Sequence, residues 1–147
     1  KGSPLHDLGK VAIPDSILHK PAKLDKEEWE RMQTHARVGY DILKKSQKPI
    51  LVAAAEISLT HHEKWDGSGY PRGLKGDTIP IEGRIAAVAD VFDALGNERC
   101  YKKAWPMEDV ISHITAQRGK QFEPKLVDIL IENMDKVAEI CATFQDE

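Results

Sequence analysis

The chain reads as an all-α protein. Three observations carry that expectation. Apolar residues recur at helical spacing in several segments, helix start and stop residues bracket those segments, and no segment sustains the period-two alternation of a strand. The first long helix is expected from about Asp25 to Lys45. Asp25 is its N-cap, Glu28 completes a capping box, and Trp29, Met32, Ala36, Gly39, Tyr40 and Leu43 form its apolar face. A second helix follows Pro49 and covers roughly Ile50 to His62. A third, rich in Ala and Val, runs from about Ile81 to Leu95, with Gly96 as its C-terminal stop. A fourth begins after Pro106 and stops near Gly119. A fifth begins near Pro124 and places Leu126, Leu130, Met134, Val137 and Cys141 on one face. Between the second and third lies KWDGSGYPRGLKGDTIP, residues 64–80. A connection of that length is uncommon in a compact domain. Trp65, Tyr70, Leu74 and Ile79 offer it apolar anchors, so an ordered Ω-type loop is expected.

Size and composition bound the function. The 147 residues correspond to one domain, and 41% hydrophobic with 31% charged residues exclude a disordered chain. No apolar run approaches the ~20 residues that span a bilayer, and no signal peptide is evident. A net charge of −3 rules out a basic DNA-binding surface, so a phosphate ligand has to be held by local cations or metal. Cys100 and Cys141 share no spacing pattern, which excludes a disulfide scaffold and points to a reducing compartment.

Several residues carry more chemistry than packing requires. His6–Asp7 is an adjacent pair between Leu5 and Leu8, and His35 sits on the first long helix. His61–His62 closes the apolar second helix, with Glu63 and Asp66 close behind. Asp90 lies among Ala86, Ala87 and Ala94, where an unpaired carboxylate is costly, so it needs a cation: a metal, or a Lys or Arg. His19 and His113 are explained as ordinary helix-boundary histidines. Taken together, four histidines and two aspartates from separate segments are a metal-ligand inventory. Imidazole with carboxylate and no thiolate suits iron, manganese or another hydrolytic metal rather than structural zinc. Six ligands suit two ions better than one, and such pairs clamp a phosphate and activate water. Lys10, three residues after Asp7, could hold a phosphate oxygen, orient the attacking water or protonate a leaving oxygen; the plain alternative is a surface lysine. The adjacent Gly9 favours a close approach there.

HDLGK at 6–10, IPDSIL at 13–18, KP at 20–21, HHEKWDGSGYPRGLKG at 61–76, RIAAVADVFDAL at 84–95 and RCYKKAW at 99–105 closely resemble the HD-GYP family. The resemblance extends to about Leu130. It implies an HD-superfamily helical bundle with a long Gly-rich loop, its core at 5–131. It implies a centre of two or three iron or manganese ions. It also implies hydrolysis of cyclic di-GMP to pGpG or onward to GMP, in the bacterial cytoplasm. Carried over by position, the metal ligands are His6, Asp7, His35, His61, His62 and Asp90. The resemblance implies a catalytic role for Lys10 and Asp7. Gly69, Tyr70 and Pro71 match the family's signature loop, and Arg99 and Lys102 match the basic residues that grip the dinucleotide.

Two departures from the family pattern bear on this. Cys100 stands where a proline is usual, which should change loop stiffness rather than binding. The family also draws a further His, and in trinuclear members a Glu, from helices upstream of the HD pair. Those helices are expected to be missing here, leaving the 147-residue chain nearly inactive by itself and its exposed edge prone to homodimerise. An upstream sensor or receiver domain is the expected partner. The alternatives are a catalytically silent cyclic dinucleotide receptor and an HD phosphohydrolase acting on another nucleotide, such as cyclic GMP-AMP.

Overall fold

The structure is a computed structural model that describes residues 5–97 and 104–143. It is all-α: the described residues contain no strand, and one isolated bridge joins Arg118 to Phe122. A short 3-10 turn, Leu8–Ala12, precedes α1 (Asp15–Leu18), α2 (Lys26–Leu43) and α3 (Pro49–Thr60). The loop follows, carrying a 3-10 turn at Gly76–Thr78. Then come α4 (Ile81–Gly96), α5 (Met107–Ala116), α6 (Pro124–Glu132) and α7 (Met134–Thr143). No helix among the described residues is long and apolar enough to cross a membrane.

The sequence explains most of these boundaries. Asp25 caps α2 through both halves of the expected box, each bond 2.9 Å long. Pro49 occupies the first turn of α3, where a missing N–H costs nothing. Two boundaries differ from expectation. Gly96 does not stop α4 in a left-handed conformation; it is the last helical residue, and Asn97 leaves it in extended conformation. The predicted fifth helix is two, broken at Asn133, whose side-chain amide donates back to Ile129 O over 2.8 Å. The apolar face runs unbroken through that break, so periodicity alone could not reveal it.

Helix α3 is apolar on nearly every side and is correspondingly central, packed between α2 and α4. Small residues let these helices approach closely. Gly39 of α2 faces Ser58 of α3, and Gly83 of α4 faces Thr60. One core cluster lies under α2 and α3, around Leu43, Ala54 and Ala55. The other unites α4, α5 and α6 through Val88, Val110, Ile114, Phe122 and Val127. The Gly-rich loop is ordered, as its apolar anchors suggest. Ile79 is buried, Trp65 N–H donates to Gln121 O, and Asp66 N–H donates to Lys120 O. Arg84 pairs with both Asp77 of the loop and Glu123 at the start of α6.

Candidate metal centre

Four elements converge on one polar point. The 3-10 segment brings Asp7, α2 brings His35, the end of α3 brings His61 and His62, and α4 brings Asp90. Ligand atoms of Asp7, His35, His61 and His62 all lie within 4.8 Å of one another. His6 joins this group to Asp90: its Nε2 is 3.5 Å from Asp7 Oδ2 and 3.6 Å from Asp90 Oδ1. The segment is fixed to the bundle by Ser58 Oγ, which donates to His6 O over 3.0 Å. It is also fixed by contact of Gly9 with the backbone of α2, where an added Cβ would fall 1.9 Å from His35 O. Gly9 therefore serves the approach of two backbones, whereas its sequence neighbourhood suggested room beside Lys10.

Hydrogen bonds to main-chain carbonyls settle which ring nitrogens face the cluster. A carbonyl can only accept, so the nitrogen beside it carries the proton. His35 Nδ1 donates to Met32 O at 2.7 Å, and His61 Nδ1 donates to Ile57 O and Ser58 O, both at 3.0 Å. In the neutral rings, both Nε2 lone pairs then turn toward Asp7, at 3.5 Å and 4.0 Å. His62 Nε2 faces His35 Nε2 at 3.1 Å, an edge satisfied by a proton on His62 or by a shared cation. His61 Nε2 is buried and has no hydrogen-bond partner among the described residues. A buried, orphaned lone pair beside a carboxylate and two further imidazoles is the environment a divalent cation satisfies.

The electrostatics agree with this. Burial foremost, then the charge of neighbouring histidines, pushes His61 down to about 4 and His62 down to about 3. The rings are thus held neutral, as metal ligands must be. Burial alone would raise Asp7, but the hydrogen bond and charge of Lys10, with His6 and His35, hold its carboxyl below the ordinary value. Lys10 Nζ lies 2.6 Å from Asp7 Oδ2. The hydrogen bond from His6 is the main cause of the lowered Asp90.

The signature loop folds back over this cluster. Tyr70 stacks on His62, ring centroids 4.7 Å apart, and meets the edge of Trp29 at 6.1 Å. Burial, then the charges of Asp7 and Asp90, raises its hydroxyl pKa, so the phenol stays protonated. At Gly69 a Cβ would sit 2.4 Å from both His62 O and Lys64 N, so the glycine is required by packing of the loop on the HHE segment. Arg99 and Lys102 lie outside the described residues. A groove of about 640 Å³ opens at His6 and Asp90 and runs between α4, α6 and α7, with mostly apolar walls such as Val88, Phe92 and Leu130. Sequence reasoning did not find the role of Glu63, whose partners are backbone amides, nor that of Trp29, which it read as part of a core face.

The HD domain family matches residues 3–126, and the chain belongs to that family. Its motifs and relatives place it in the HD-GYP branch. It is 58% identical over 98% of its length to 3'3'-cGAMP-specific phosphodiesterase 2 of Vibrio cholerae, covering 28% of that protein. It is 51% identical over 97% of its length to the cyclic di-GMP phosphodiesterase response regulator RpfG of Xanthomonas campestris pv. campestris, covering 38% of it. A cyclic di-GMP phosphodiesterase of Thermotoga maritima is 48% identical, the chain covering 39% of it. The chain thus spans about a quarter to two fifths of these relatives. A solved structure of a cyclic GMP-AMP-specific phosphodiesterase from V. cholerae shares the fold, with a TM-score of 0.62 at 23% identity over 89% of this chain and 36% of that one.

Proposed function

We propose that this chain is the catalytic domain of a metal-dependent phosphodiesterase that hydrolyses cyclic di-GMP to pGpG or GMP in bacterial second-messenger signalling. The observation that carries the reading is the orphaned His61 Nε2 facing Asp7 in a cluster of three neutral imidazoles. His6, Asp7, His35, His61, His62 and Asp90 would hold two divalent ions, iron or manganese by donor chemistry. When bound, such ions neutralise charge on the phosphate and lower the pKa of water.

The remaining work falls to the protein's own groups. Hydrolysis forms one bond from a water oxygen to phosphorus and breaks the bond from phosphorus to the 3′ oxygen, which leaves with a proton. Lys10 Nζ lies 2.6 Å from Asp7 Oδ2, and its ammonium would hold a phosphate oxygen or give a proton to that leaving oxygen. Arg99 and Lys102 follow the helix bearing Asp90 and supply charge for a dianionic ligand; Arg suits bidentate contact and Lys a point contact. Tyr70, with Gly69 and Pro71 setting its place, lines the approach beside His62.

A second reading, hydrolysis of 3'3'-cGAMP, is favoured by the 58% identity to a relative named for that activity. The greater length of the relatives supports a further regulatory domain in the full-length protein. The test is product chromatography of the full-length protein with each cyclic dinucleotide, beside Asp7→Ala. Linear product from the wild type and none from the variant, with metal lost, is expected. Equal turnover and equal metal content in the two would remove Asp7 from the mechanism and the reading with it.

A further inference from the structure

Glu63 follows the two metal-ligand histidines, but its carboxylate is not part of their cluster. It is only 2% exposed, and among the described residues no lysine, arginine or histidine pairs with it. Its carboxylate instead accepts two main-chain hydrogen bonds from the far side of the signature loop. Arg72 N–H reaches Oε1 and Leu74 N–H reaches Oε2, each at 2.9 Å. Neither amide has another acceptor among the described residues. The base of the loop is fastened elsewhere, through Trp65, Asp66 and Gly76. The stretch carrying Tyr70 and Pro71 is closed on one side by Tyr70 N–H donating to His62 O over 3.2 Å, and on the other by Glu63.

We propose that Glu63 is a positioning residue. Its buried carboxylate clasps the backbone at Arg72 and Leu74 and so holds the Tyr70 ring stacked on His62 at the mouth of the metal centre. The carboxylate's geometry fits this task. Its two oxygens accept two amide donors from residues on either side of Gly73, whose φ of +65° lies in the left-handed region that favours glycine. A buried carboxylate is costly unless it is hydrogen-bonded, so the clasp is held closed by the penalty for leaving Glu63 unsatisfied. Because Glu63 is covalently next to His62, the loop and the metal ligand are set by one short segment. The part of this inference that concerns substrate rests on the function proposed above; the clasp itself does not.

The test uses Glu63→Gln, which retains one acceptor but turns an NH2 group toward the other amide, in the full-length protein. Glu63→Asp, which keeps both oxygens but withdraws them by one bond, gives the milder variant. For Glu63→Gln, kcat/KM on a cyclic dinucleotide should fall about ten- to a hundredfold, as for loss of a hydrogen bond to a charged group. The loss should fall chiefly on KM. Metal content and turnover of bis(p-nitrophenyl) phosphate, a generic diester without guanine bases, should be unchanged. Glu63→Gln combined with Tyr70→Ala should cost no more than Tyr70→Ala alone, since residues acting through one another are not additive. Independently of activity, trypsin should cut after the exposed Arg72 faster in Glu63→Gln than in the wild type. Equal loss on both substrates, or fully additive losses, would overturn the positioning role. An unchanged rate of cleavage after Arg72 would overturn the clasp. A wild type that hydrolyses the generic diester but no cyclic dinucleotide contradicts the proposed substrate alone, and the trypsin comparison then decides the clasp.

Discussion

Replacing Gly9 with alanine should separate the HD segment from the rest of the metal centre. The new Cβ would stand 1.9 Å from His35 O and 2.6 Å from Gly39 N, both backbone atoms that no rotamer change can move. Restoring ordinary contact, which begins at 3.4 Å, requires a displacement of about 1.5 Å between the 3-10 segment and α2. Overpacking of this kind costs about 1–3 kcal/mol. For a chain of this size that lowers the melting temperature by about 2–12 °C. The functional effect should exceed the stability effect, because Asp7 lies two residues before Gly9 and His35 carries the clashing carbonyl. Metal–ligand distances tolerate only about ±0.2 Å, so a shift of this size should weaken metal binding at least tenfold. The assay pairs thermal melts of the chelated protein with a competitive metal titration. Gly96→Ala is the control, since nothing lies within 4 Å of its added Cβ. Wild-type melting and wild-type metal affinity in Gly9→Ala would refute the close-approach argument.

Other outcomes follow from the same geometry. The metal-free protein should lose stability as pH falls from 6.5 toward 4, because unfolded His61 and His62 take up protons that the folded chain refuses; above that window the two rings should contribute no pH dependence. A melting temperature that stays level through the window would contradict their burial as neutral rings. Arg99→Ala and Lys102→Ala should each weaken cyclic dinucleotide binding about ten- to a hundredfold with metal loading intact. Calorimetry giving wild-type affinity for both would remove them from the ligand site. Lys10→Ala should lower kcat about a hundredfold or more while both ions are retained, as for loss of a proton donor; metal loss of the same size would make Lys10 a support for Asp7 alone.

Much of this was legible in the sequence, for identifiable reasons. The capping box at Asp25 and Glu28 is a local device, and it forms as written. The apolar anchors of the Gly-rich loop announced its order. Asp90 stands among alanines, and the structure leaves it partly exposed with His6, rather than a Lys or Arg, beside it. The features that escaped are those whose partners are distant or main-chain. The break at Asn133 interrupts no apolar pattern. Gly9 suggested a close approach, but that the neighbour is the backbone of α2 appears only when α2 is placed against it. Glu63 looks like one more acidic residue near a histidine pair, because nothing in its neighbourhood reveals that the amides of Arg72 and Leu74 return to meet it.

The most direct test of the account is hydrolysis of a cyclic dinucleotide by the full-length protein, measured against the number of bound iron or manganese ions per chain. The account predicts no linear product from chelated protein, and product that appears as the cluster of His6, Asp7, His35, His61, His62 and Asp90 fills, reaching its maximum at two ions. Product formed at the same rate after metal removal, or none with both ions bound, would contradict it.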